Sequence, residues 1–174
     1  MSSASNQTKY QVRFEWGIEG AAQIAPGAHI VVWADALPDA TANPLAFAHD
    51  GALVTGSTGS RAALAAWVLQ RQAELGDRVV VAVVAAGGPN GRFAVEDLLA
   101  AGAVIDALGE AGIDFTSPEA AAAAGAYASL RNATNHVLSA SVGGQEAGSE
   151  AVTAAREANA RADFGILREF RGSA

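Results

Sequence analysis

Two stretches of the chain share one layout, in which an apolar run enters a glycine-rich turn and then a helix-period segment. The first is Leu53-Val54-Thr55, followed by Gly56-Ser57-Thr58-Gly59-Ser60 and Arg61; the second is Val83-Val84-Ala85-Ala86, followed by Gly87-Gly88-Pro89-Asn90-Gly91 and Arg92. Val79–Val84 and His29–Ala34 are apolar without alternation, as in strands covered on both faces. Such strands need helices on either side of their sheet, and a helical crossover returns the chain parallel. The expectation is an α/β domain of three layers, α/β/α, with a mainly parallel or mixed sheet.

The remaining pattern fits that frame. Tyr10–Trp16 alternates Val12, Phe14 and Trp16 against Gln11, Arg13 and Glu15, a half-buried strand. A short helix over Ile18–Ile24 stops at Pro26-Gly27, and Ala36–Asp50 has no periodic stripe and reads as loop. Ala52–Thr55 is a short strand, and helices are expected over Arg61–Leu75 and from about Ala94 to Leu108. Gly112–Phe115 is either a short strand or a connection. Ser117-Pro118 is an N-cap followed by proline at the first helical position, opening a helix to about Leu130. Helices near Asn135–Ala140 and Ser149–Ala160 and a strand in Gly165–Phe170 complete a single domain over 10–174, after a polar lead-in over 1–9 expected to lack order.

Composition removes several functions. No cysteine is present, which excludes a thiolate metal site and a cysteine nucleophile. Eleven Lys and Arg against eighteen Asp and Glu give a net charge of −7, which repels a phosphodiester backbone, so no nucleic-acid partner is expected. Apolar stretches are short and broken, and the first residues lack a secretory apolar core; no membrane partner and a cytoplasmic location are the expectations. His29, His49 and His136 show no metal-ligand spacing, and Trp16, Trp33 and Trp67 fall at core positions.

The two turns lie where open α/β sheets bind ligands, beyond the carboxyl ends of strands. Backbone N–H groups there, with Ser57, Thr58, Gly59, Ser60 and Gly91, would suit an anion, and Arg61 and Arg92 would fork a phosphate or carboxylate. Neither turn is a Walker motif or a dinucleotide fingerprint, and from spacing alone ordinary strand-to-helix connections with capping hydroxyls are the simpler reading of each. Asp35 ends a buried strand on the same sheet edge, and Glu96 and Asp97 open the helix after Arg92. Oxygen ligands of this kind suit magnesium. Glu96 and Asp97 also fit simple complementation of the helix dipole on a solvated face, and they point about 100° apart on a helix.

The segment Gly91-Arg92-Phe93-Ala94-Val95-Glu96-Asp97, continuing to Asp106 through Ala101-Gly102, resembles the 2-phosphosulfolactate phosphatase family. Thr55–Ala62 is similar to that family's second motif and Val31–Thr41 to its first, while Asn135–Asn159 matches a late segment weakly. The Arg of the first motif falls in Leu37-Pro38-Asp39, Thr58 replaces an Asn of the second, and Ala42–Gly51 is too short for the family's middle segment.

The resemblance implies a magnesium-dependent phosphoric monoester hydrolase acting on a small phosphorylated acid, a step of coenzyme M biosynthesis. It carries Asp35, Gly59, Ser60, Arg61, Gly91, Arg92, Glu96 and Asp97 onto the family's motifs. Asp35, Arg61, Arg92 and Glu96 are the expected catalytic residues. Ser57, Thr58, Gly59, Ser60 and Gly91 are the expected phosphate cradle, and Asp35, Glu96 and Asp97 the metal ligands. A homo-oligomer is compatible with this reading. The alternative is a degenerate, non-catalytic relative that binds a small anion or serves as an assembly subunit.

Overall fold

A computed structural model of the protein describes residues 4–39 and 42–169. Five strands form one sheet in the order β1-β4-β2-β3-β5: β1 (Val12–Trp16), β2 (Ile30–Ala34), β3 (Ala52–Gly56), β4 (Val81–Ala85) and β5 (Ile166–Arg168). The first four are parallel and β5 runs antiparallel to β3, so the sheet is mixed. The runs read as doubly covered, β2 and β4, lie in the interior of the sheet and are buried throughout.

One face of the sheet packs Val31, Trp33, Leu53, Ala82 and Val84 against Ala21 and Ile24 of helix α1 (Gly17–Ile24) and Phe47 of the following loop. The other face sets Ile30, Val32, Val54, Val81 and Val83 against α2 (Arg61–Leu75) and α3 (Val95–Glu110). The three expected layers are present. Helix α4 (Pro118–Leu130) lies on α3 and starts as the sequence indicates, with Ser117 Oγ accepting from the Ala120 N–H at 3.1 Å. Helices α5 (Thr134–Ala140), α6 (Val142–Ala147) and α7 (Ser149–Asn159) follow. No helix among the described residues is long and apolar enough to cross a membrane.

Some sequence expectations change. Gly112–Phe115 is a connection, and only Thr116 bridges to Val12. Helix α6 has no counterpart in the sequence reading. The last strand is confined to Ile166–Arg168, and Phe170 lies outside the described residues. Strand β1 is not half-buried at its centre. Arg13 is 4% exposed, with its guanidinium donating to the Ile24 and Pro26 carbonyls at 2.9 Å each. The Ile24 carbonyl ends α1 and that of Pro26 lies just past it, so a cation there satisfies them and meets the negative end of the helix dipole. Within the lead-in, Ala4–Asn6 form a 3-10 turn. Gln7 is buried and bonds the edge of β1 in both directions, donating to Phe14 O at 2.8 Å and accepting from Phe14 N at 3.0 Å.

Candidate active site

The carboxyl ends of β2, β3 and β4 open on two neighbouring cavities that share Pro38, Asp39 and Ala158 in their walls. The first, about 580 Å³, holds Gly87, Gly88, Arg92, Glu96 and Asp97. The second, about 510 Å³, holds Asp35, Ser57, Ser60 and Arg161.

Asp97 ties two strand ends together. Its Oδ1 accepts from the Ala36 N–H at 2.8 Å, just beyond β2, and its Oδ2 from the Gly87 N–H at 2.9 Å, just beyond β4. It is 3% exposed. Burial raises its pKa to about 8, Asp35 and then Glu96 add repulsion, and the two N–H bonds pull the other way. Asp35 is raised to about 6, first by burial and then by Asp39, with a smaller push from Glu96. Hydrogen bonds from the Trp33 side chain and the Leu37 backbone partly offset this. The expected carboxylates therefore feel one another across the β2–α3 junction.

Glu96 differs from its neighbour. It is 7% exposed, lines the first cavity, and among the described residues no hydrogen bond reaches its carboxylate. Gly143 of α6 lies against it so closely that a Cβ at 143 would overlap Glu96 Oε1. The alternative of a solvated, dipole-complementing face fails for both residues, because α6 and the strand ends cover them. The N-cap of helix α3 is Ala94, which offers no side-chain cap, so the N–H groups of its first turn are left without one. Arg92 beside it makes only a loose ion pair with Glu146, 3.5 Å apart at the surface.

The first turn is arranged otherwise. The Ser57 N–H donates to Ser60 Oγ at 3.0 Å and the Ser60 N–H to Ser57 Oγ at 3.1 Å, while the Gly59 N–H donates to Asn159 O at 2.8 Å. The N–H groups expected to cradle a phosphate are thus largely engaged by the turn itself and by the end of α7. Thr58 Oγ1 also donates to Asn159 O, at 3.2 Å. Gly59 is required here, because a Cβ would lie 2.6 Å from Asn159 O. Arg61 turns away from both cavities, donating to Thr58 O and lying 5.8 Å from the Tyr127 ring centroid. Gly91, at φ +74°, shapes the second turn without lining either cavity. The structure gathers Asp35, Glu96, Asp97 and Arg92 at one sheet edge and leaves Arg61 outside it. Arg161, which sequence reasoning missed, lines the second cavity near Asp35; its only signal in the sequence was its place after the last helix.

Among the described residues, no three Asp, Glu or His side chains form a metal cage. The donor chemistry still suits a hard cation held by one or two carboxylates, with water and substrate oxygens completing its shell. Glu96, without a hydrogen-bond partner, and Asp35 fit that role. Asp97 is committed through both oxygens to backbone N–H groups and positions the strand ends.

The family model for 2-phosphosulpholactate phosphatase matches residues 39–153, which include both turns, Arg92, Glu96 and Asp97. The chain belongs to that family. Among curated proteins none matches it. Within the 2-phosphosulpholactate phosphatase match lies the whole first turn of α3, whereas Asp35 and Arg161 fall outside it.

Proposed function

We propose that the protein hydrolyses a phosphate monoester of a small anionic compound, with magnesium, in the cleft at the carboxyl ends of β2 and β4. The observation that carries this reading is Glu96, a residue 7% exposed whose carboxylate has no hydrogen bond among the described residues, beside Asp35, Arg92 and the uncapped start of α3. A carboxylate with free lone pairs in a cleft suits a hard cation. Arg92 would hold phosphoryl oxygens from the side of the second turn, and the N–H groups of the first turn of α3 would face developing negative charge. Bound magnesium would supply Lewis-acid stabilisation of the phosphoryl oxygens. Asp35, whose pKa is raised to about 6, would give up its proton on holding the cation, so magnesium binding would strengthen as pH rises through that value.

Phosphate release from 2-phosphosulfolactate and a panel of small phosphate esters, with magnesium and with chelator, tests this. Magnesium-dependent release is expected, falling at least about a hundredfold in Glu96→Gln, the loss typical of removing a group that stabilises transition-state charge. No metal-dependent release from any ester overturns hydrolysis. The engaged amides of the first turn and the position of Arg61 favour a second reading, a relative that binds an anion without turning it over. Calorimetric phosphate binding that is indifferent to magnesium, with no turnover, would support it.

A further inference from the structure

We infer that a pocket between the end of β1 and the start of α4 binds a small quaternary ammonium compound. The pocket measures about 350 Å³, within the range of small-molecule sites, and shares no lining residue with the two cavities at the carboxyl ends of β2, β3 and β4. Three aromatic rings stand in series along it. Phe14 and Trp16 meet edge to face with centroids 5.7 Å apart, and Trp16 and Phe93 lie 5.3 Å apart at an interplanar angle of 47°. Phe93 is 61% exposed, a large apolar ring held against Trp16 outside the core.

Charge decides what these rings take. Glu15 and Glu119 line the pocket, and no Lys, Arg or His does. Glu15 Oε2 accepts from the Trp16 N–H at 3.2 Å, which holds that carboxylate at the strand edge next to Trp16. Glu119, in the first turn of α4, enters no hydrogen bond or ion pair among the described residues. Arg92 precedes Phe93 in sequence but pairs with Glu146 across the first cavity. Other rings receive a cation from the chain itself: Lys9 lies over Tyr10, Arg61 over Tyr127 and Arg71 over Trp67. Trp16 and Phe93 have no such partner among the described residues, so their ring faces are left for a cation from outside. An anion would be repelled by both carboxylates. A primary ammonium would bring N–H donors to a wall that is mostly hydrocarbon, whereas a quaternary ammonium needs no hydrogen bond.

Titration of the full chain without magnesium, followed by NMR at the Trp16 indole N–H and the Phe93 amide, reads this pocket independently of any phosphate chemistry. At constant ionic strength, choline is compared with its uncharged tert-butyl isostere, in which carbon replaces the nitrogen. Choline should bind at least about fivefold more tightly, the factor that a partly desolvated cation over aromatic faces supplies. Phe93→Ala should bring the two ligands close to equal affinity, and Glu119→Gln should weaken choline and leave the isostere unchanged. Leu69→Ala, which trims an exposed apolar side chain of α2, should keep the preference. A preference below about fivefold, no choline-dependent shift at Trp16, or a loss in Leu69→Ala as large as in Phe93→Ala would each overturn the inference. Should Phe93→Ala fail to fold, Glu119→Gln decides: choline and isostere weakened alike, or neither weakened, also overturns it.

Discussion

At the scale of single residues, the acidic cluster links the site to stability. Asp35 and Asp97 have folded pKa values raised to about 6 and about 8, so between pH 4 and pH 8 these two groups bind more protons in the folded chain than in the unfolded one, and outweigh His49, whose pKa burial lowers. Stability contributed by their protonated forms is complete at low pH and is lost as pH rises through those values. The melting temperature should therefore fall by at least about 3 °C between pH 5 and pH 8.5, the shift that roughly 1 kcal/mol produces in a domain of this size. Magnesium should restore it at pH 8.5 and do little at pH 5, because a cation competes with the protons. Asp35→Asn, which removes one carboxyl and its repulsion on Asp97, should flatten the profile. A melting temperature that rises with pH would contradict the arrangement. The identity of these carboxylates was legible in the Gly-Arg-Phe-Ala-Val-Glu-Asp run and in Asp35 ending a strand. Their burial was not, because it depends on Gly143 and Ala36, remote in sequence from α3.

At the scale of elements, glycines record where helices touch backbone to backbone. A Cβ on Gly102 of α3 would overlap the Ala123 carbonyl of α4, whereas Gly109, seven residues on in the same helix, faces open space. Two substitutions of one chemical kind should then have opposite signs. Gly102→Ala should lower the urea midpoint through overpacking, at about 1–3 kcal/mol. Gly109→Ala should raise it by roughly 0.5–1 kcal/mol, since alanine constrains the unfolded chain and fits a helix better. Equal effects at the two sites would mean that α3 and α4 do not approach as described. The same contact explains what the sequence concealed. Helix α2 ran over Arg61–Leu75 as its periodicity and Gly76 required, because its pattern is local. Helix α6 contains Gly143-Gly144, poor helix formers, and depends on Ser141 Oγ accepting from the Gly144 N–H at 3.0 Å and on packing against Glu96. Such a helix comes from tertiary contact and leaves little mark in periodicity.

At the scale of the whole molecule, the end of α7 closes the sheet edge over the first turn. Asn159 contributes through both its groups. Its side-chain amide donates to Ala36 O at 2.6 Å, beyond β2, and its main-chain carbonyl accepts from the Gly59 N–H and from Thr58 Oγ1. The carboxyl end of α7 thus meets the amino end of α2, which aligns opposite dipole ends and leaves few amides of that turn for a ligand. Neither partner could be inferred from sequence, since a hundred residues separate Asn159 from Gly59. Asn159→Ala removes the bond to Ala36 at a cost of about 1 kcal/mol, the usual net worth of such a bond. The cost should be local. Amide exchange at Gly59 should quicken about fivefold, the factor that 1 kcal/mol gives, while Val83 in interior strand β4 exchanges only through global opening. If Val83 and Gly59 quicken together, α7 is part of the cooperative core, and the sheet edge opens only when the whole domain unfolds. If Gly59 responds alone, the clasp releases independently of the sheet, and the first turn regains the donors that its present partners withhold from an anion.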